Sequence, residues 1–158
     1  MLGSGSKPTR RRVARLDTAA GRAHVLDADP LYLAVEAALE ETPNLEGAVL
    51  LFHQRAVRLF HRRAGTEGRA GATIDVTLDG LEGGPARVLG VARWDLGALQ
   101  RDLGPGEAPR EVPLSFTDAA PGPEGRLFYL AAAEDTPNAV DDGPVIGAAV
   151  GVIRGGEA

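Results

Sequence analysis

Alternation of apolar and polar residues along the chain predicts a protein built mostly from β-strands. The clearest example is residues 73–79, where Ile74, Val76 and Leu78 are expected on one face of a strand. Two short runs on either side of Gly21 predict a hairpin. The predicted strands are 13–16, 23–26, 48–52, 56–60, 73–79, 87–94, 111–116, 126–131 and 145–153.

Local composition predicts where some of these strands lie in a sheet. Pro113 has no backbone N–H for a strand ladder, which places residues 111–116 at a sheet edge. Residues 126–131 are apolar on both faces and are expected at a sheet centre. Residues 145–153 are rich in glycine and alanine and are expected to form the last strand, and residues 96–103 a short helical turn.

Residues 30–42 fit two interpretations. Asp29 followed by Pro30 is a favourable helix start, and Leu31, Val35 and Leu39 then share one helical face. The odd-numbered residues from 31 to 39 are also all apolar, which fits a strand. The helix is favoured because alanine and glutamate are frequent here.

These elements predict a mainly β protein, an antiparallel β-sandwich of about eight strands with one or two short helices. The alternative is an α+β fold with a helix at 30–42. The length of 158 residues fits one domain, expected at residues 10–154. Residues 1–9 are expected to be a flexible arm and residues 155–158 a frayed tail.

The amino-acid composition excludes several classes of functional site. The chain has no cysteine, which excludes disulfide scaffolds, cysteine-ligated metal sites and thiol catalysis. The first residues are polar and basic and no apolar run follows them, so no secretory signal is expected and the predicted location is cytoplasmic. No cofactor is expected.

The charge is unevenly distributed. Residues 1–69 carry 11 Lys/Arg and 8 Asp/Glu, whereas residues 70–158 carry 6 and 14. An anionic partner is expected to bind a basic patch, whereas a pI of 5.2 and an aromatic content of 4% argue against nucleic acid as that partner. This predicted basic patch consists of Lys7, Arg10, Arg11, Arg12, Arg15, Arg58, Arg62 and Arg63.

The candidate catalytic and metal-binding residues are sparse. His53 and His61 flank one predicted strand and are a possible two-histidine site, but His-Glu-x-x-His and Gly-x-Ser-x-Gly are both absent. Ser115 stands alone as a structured serine, so no enzyme and no metal site is predicted. An acidic loop is either a weak cation site or solvated; its residues are Glu134, Asp135, Asp141 and Asp142.

The chain from 27 to 131 resembles a C2 domain. The resemblance rests on the acidic strand end at 75–80, on Val-Leu-Gly-Val-Ala-Arg-Trp-Asp-Leu at 88–96, and on Gly-Arg-Leu-Phe-Tyr-Leu at 125–130. It implies an eight-stranded sandwich that docks on lipid or protein without catalysis, and a strand at 31–39. Of the family's paired calcium-binding aspartates after the acidic strand, Asp79 alone is matched, so calcium binding is not expected.

The sequence therefore predicts a non-enzymatic docking module that acts by surface contact with an anionic or protein partner. An anionic membrane surface is one candidate for the anionic partner. The alternative is a structural subunit of a larger assembly, such as a virion, tail, shell or secretion apparatus. In that case residues 145–153 are expected to form a sheet edge that another copy closes.

Overall fold

The computed structural model describes residues 2–63, 65, 68–137 and 143–154, apart from the Phe52 side chain. Within these residues it has ten strands and one α-helix, which confirms the mainly β prediction. The helix is α1 (Asp29–Leu39). The strands are β1 (Arg12–Asp17), β2 (Arg22–Asp27), β3 (Leu45–Leu51), β4 (Ala56–His61), β5 (Gly71–Thr77), β6 (Val88–Trp94), β7 (Ala98–Arg101), β8 (Arg110–Pro121), β9 (Leu127–Glu134) and β10 (Val145–Ile153).

The strands form two four-stranded sheets and a separate hairpin. The first sheet has the order β3-β4-β5-β6 and the second the order β10-β9-β8-β7, and all neighbours are antiparallel. β1 and β2 pair as the predicted hairpin, with Gly21 in its turn at a φ of 63°.

The first sheet is the middle of three layers. One of its faces packs against α1, where Leu31, Val35 and Leu39 meet apolar residues of β4 and β5 such as Leu59 and Ile74. All five side chains are at most 1% exposed. Burial at this helical spacing explains why residues 31–39 form a helix rather than the strand implied by the C2 resemblance.

The second sheet covers the other face of the first sheet. Phe60 of β4 meets Phe116 of β8 edge to face, with ring centroids 5.2 Å apart, and Phe116 meets Tyr129 in the same way at 5.1 Å. Val49, Leu127 and Ile153 are the other buried residues of this core. β4 and β5 are therefore covered on both sides. Ile74 and Val76 of β5 share the face that packs against α1, as the alternation predicts, whereas Leu78 lies in the 3-10 helix that follows the strand.

Two predicted elements differ in the structure. Residues 98–101 of the expected helical turn form strand β7, which pairs with β8. The strand expected at a sheet edge is twelve residues long and lies between β7 and β9. Pro113 is tolerated because the neighbouring Leu114 N–H bonds Gly97 O at 2.8 Å, so the proline nitrogen faces away from β7, and pairing with β9 begins only at Leu114.

The N-terminal segment expected to be flexible is packed against the domain. Gly3 N–H donates to Arg12 O at 2.9 Å, and Leu45 N–H donates to Ser4 O at 2.8 Å. The buried Tyr32 hydroxyl donates to Gly3 O at 2.5 Å. The domain therefore includes this segment, and the predicted tail at 155–158 lies outside the described residues.

Candidate interaction surface

Several arginines of the predicted basic patch are paired with carboxylates. Arg58 donates two hydrogen bonds of 2.7 Å to Asp75, from the neighbouring strand of the first sheet. These bonds to Asp75 raise the pKa of Arg58. The other such pairs are Arg11 with Glu36 at 2.7 Å, Arg12 with Asp27 at 3.2 Å, and Arg62 with Glu134.

The remaining residues of the predicted basic patch lie on different elements. Lys7 and Arg10 are exposed at the 3-10 helix that precedes β1, and Arg15 is exposed on β1 itself. Arg63 follows β4, and its backbone N–H donates to Ser115 Oγ at 2.7 Å. Because at least four of the eight cations are compensated locally, the patch offers less positive charge than the sequence suggests.

The described carboxylates of the acidic loop also have arginine partners. Asp135 is 8% exposed and accepts hydrogen bonds from Arg101 and Arg110, which lower its pKa. Glu134 accepts Gly143 N–H at 2.9 Å, and this bond lowers its pKa. Asp141 and Asp142 lie outside the described residues, within which no group of three potential ligands could hold a metal.

The two candidate histidines do not meet. His53 is exposed in the 3-10 helix that precedes β4, and His61 is buried at the far end of that six-residue strand. His61 Nδ1 accepts Asn44 N–H at 3.0 Å, and Nε2 lies 3.5 Å from Glu41 Oε1, too far for a strong hydrogen bond. The hydrogen bond from Asn44 to His61 thus stabilises the end of β4.

Of the nine large apolar side chains that are exposed among the described residues, four lie on β9 and β10, and the others are spread over β1, β2, α1 and β6. Val150 is 70% exposed, Val152 45% and Leu130 46%. The register pairs Val150 with Leu130 and Val152 with Phe128, so these residues form one continuous surface. We call this surface the β9–β10 face; its members are Phe128, Leu130, Ala132, Ala148, Val150 and Val152.

The same surface ends at an open strand edge. β10 is the outer strand of the second sheet and pairs with β9 on one side. Its nine residues include no charge and no proline. The other outer strands of the two described sheets each carry a charge: Glu46 in β3, Arg93 in β6 and Arg101 in β7. Charged residues are a common protection of sheet edges against pairing, and β10 has none.

The sequence located these strands but not the exposed face. Residues 126–131 were expected at a sheet centre because they are apolar on both faces, and β9 does lie between β10 and β8, yet Leu130 faces solvent. One signal lies in the glycines of β10. A Cβ on Gly151 would lie 2.1 Å from Tyr129 Cζ, so the inner side of β10 is occupied by a ring from β9, and the valines face outward.

Comparison with known proteins places the chain in a family without an assigned role. No described helix is long and apolar enough to cross a membrane. No curated protein and no solved structure matches the chain significantly. The model of a family of unknown function, DUF6910, matches residues 1–158. The chain therefore belongs to the DUF6910 family.

Proposed function

We propose that this protein is a non-enzymatic binding module that contacts a protein partner through the β9–β10 face and the free edge of β10. The observation that carries this proposal is the coincidence of an exposed aliphatic surface with an uncharged outer strand. Large exposed apolar patches on soluble domains commonly mark interaction sites.

The energetics favour a protein partner. Fully burying one valine or leucine side chain contributes about 1.5–3 kcal/mol relative to exposure. Each of three residues exposes about half or more of its surface: Val150, Val152 and Leu130. A partner that covers them therefore gains a part of this burial free energy from each side chain. A strand added to β10 would also satisfy the outward backbone groups, which is the usual way that sheet edges bind extended partners.

An anionic partner is less well supported. Arg58 and Arg62 are each engaged by a carboxylate, and both are about one-fifth exposed. Their hydrogen bonds would have to break before they could bind an external phosphate. Within the part of the chain that the structure describes, Lys7, Arg10 and Arg15 make no ion pair; they lie on the N-terminal segment and β1, whereas the apolar surface lies on the second sheet.

Site-specific photo-crosslinking tests the proposed function. A benzoylphenylalanine placed at Val150 is expected to form protein adducts on irradiation of cells that make the protein. The same residue placed at Val25, which is 67% exposed on β2, is the matched control and is expected to form few. Equal labelling at both positions, or none at residue 150, would contradict the proposal. Pelleting with phosphatidylserine vesicles that is lost at high salt, without adducts at residue 150, would favour the anionic partner.

A further inference from the structure

We infer that the partner at this surface is a second copy of the chain, paired antiparallel along β10 about a two-fold axis at Ala149. The inference rests on the proposed function, because it names the occupant of the same face and edge. The two copies would join their second sheets into one continuous eight-stranded sheet.

The sequence of β10 is close to a palindrome. Read from either end, Val-Ile-Gly-Ala-Ala-Val-Gly-Val-Ile places two β-branched residues outermost and then a glycine; the central Ala149 is flanked by Ala148 on one side and Val150 on the other. Antiparallel pairing about Ala149 therefore matches each residue with one of the same class, apart from Ala148, which meets the larger Val150. The pairs are Val145 with Ile153, Ile146 with Val152, Gly147 with Gly151, Ala148 with Val150, and Ala149 with itself.

From Gly147 to Gly151 this register also keeps each side chain on its own face. Antiparallel partners point to the same side of a sheet, and the pairs over this stretch join two odd-numbered or two even-numbered residues. The match ends at the β-bulge between Val145 and Gly147, beyond which Val145 is 63% exposed whereas Ile153 is 7% exposed. The outward Ala148 of one copy thus meets the outward Val150 of the other. The two β9–β10 faces become one apolar band, and the two glycines remain on the inner side, where Gly147 contacts Leu99 and Gly151 contacts Tyr129.

The pairing is closed and free of charge conflict. A two-fold axis uses the same edge on both copies, so the contact ends at a dimer and does not propagate into a fibre. The chain carries a net charge of −5, which disfavours close approach of two copies in general. β10 carries no charge at all, so this edge brings no like charges together.

Sedimentation velocity over a hundredfold range of protein concentration tests the dimer. The wild-type mass is expected to rise from 16.4 kDa towards twice that value. Val150→Lys is expected to stay at 16.4 kDa, because the lysine charge would be desolvated at the centre of the contact. Val25→Lys is the matched control, since Val25 is as exposed as Val150 but lies on β2, and it is expected to associate as the wild type does. Circular dichroism verifies that both variants are folded.

A wild-type mass of 16.4 kDa at every concentration would contradict the inference that the partner is a second copy. Equal loss of association in both lysine variants would contradict the placement of the contact at β10. These failures differ from failure of the proposed function. A photo-adduct at residue 150 with another protein would reject the second copy as the partner but support the β9–β10 face as the binding surface. The absence of any adduct at residue 150 would reject both proposals.

An engineered disulfide tests the register. The chain has no cysteine, so Ala149→Cys introduces a single thiol at the proposed axis. Directly opposed residues in an antiparallel pair have Cα atoms about 4.5–5.5 Å apart, which suits a disulfide. Mild oxidation is expected to give a disulfide-linked dimer, and Val25→Cys is expected to stay monomeric. Crosslinking through Val150→Cys in place of Ala149→Cys would overturn the axis proposed here.

Discussion

His61 is a buried histidine whose surroundings hold it neutral. It is 0% exposed, and its Nδ1 accepts the Asn44 N–H, which requires that nitrogen to be unprotonated. Burial lowers the pKa of His61, and Arg93 lowers it further, whereas the nearby Glu41 raises it. The folded protein therefore resists a proton that the unfolded chain accepts readily.

We expect this histidine to make stability depend on pH. Because its pKa is lower in the folded state, its contribution is complete above the unfolded value of about 6.5 and is lost as the pH falls below it. Urea unfolding of the wild type is expected to show a smaller free energy of unfolding at pH 5 than at pH 7.5. His61→Leu is expected to cost about 1–3 kcal/mol at pH 7.5, since the Asn44 amide loses its acceptor.

The variants separate His61 from the other titratable groups. His61→Leu is expected to flatten the change between pH 7.5 and pH 5, because the depressed group is gone. His24→Leu, at an exposed position on β2, is expected to keep the wild-type change. A pH dependence that survives in His61→Leu would contradict this account.

At the scale of elements, β10 depends on a close approach of a side chain to its backbone. The ring of Tyr129 lies over Gly151, where a Cβ would come within 2.1 Å of Cζ. The ring is also held against Phe116, so moving it disturbs the core between the sheets. Gly151→Ala is expected to destabilise the fold by about 1–3 kcal/mol through overpacking, measured by thermal or urea unfolding.

A glycine in another outer strand provides the control. Gly90 of β6 has open space where its Cβ would be, and Gly90→Ala is expected to be neutral or slightly stabilising. Equal destabilisation by both alanines would mean that Tyr129 does not fix the position of β10.

Local patterns predicted most of the elements, and tertiary contacts decided the others. The Asp29–Pro30 start predicted α1 correctly, and alternation predicted β5. β7 was missed because it has only four residues, and their pairing with β8 is not a local signal. Pro113 misled the prediction for β8, since a proline in an inner strand is tolerated only where the neighbouring ladder has not begun.

At the scale of the whole molecule, the sequence could not show which charges meet. Arg62 pairs with Glu134, which is 72 positions away in the sequence, and Arg101 pairs with Asp135, which is 34 positions away. Basic and acidic runs that suggested binding surfaces are thus partly used to hold the layers together. The proposed interaction surface follows instead from two observations: β10 is the outer strand of the second sheet, and among the described residues no element buries Leu130, Val150 and Val152 on the outer face of that sheet.

Hydrogen–deuterium exchange at low and high protein concentration tests the central claim, that β10 is an interface between copies, in the unmodified protein. Peptides covering β10 are compared with peptides covering β6, which is also an outer strand. Pairing with a second copy predicts that exchange in β10 slows at high concentration while exchange in β6 stays the same. Exchange in β10 that is equally fast at both concentrations would contradict the claim.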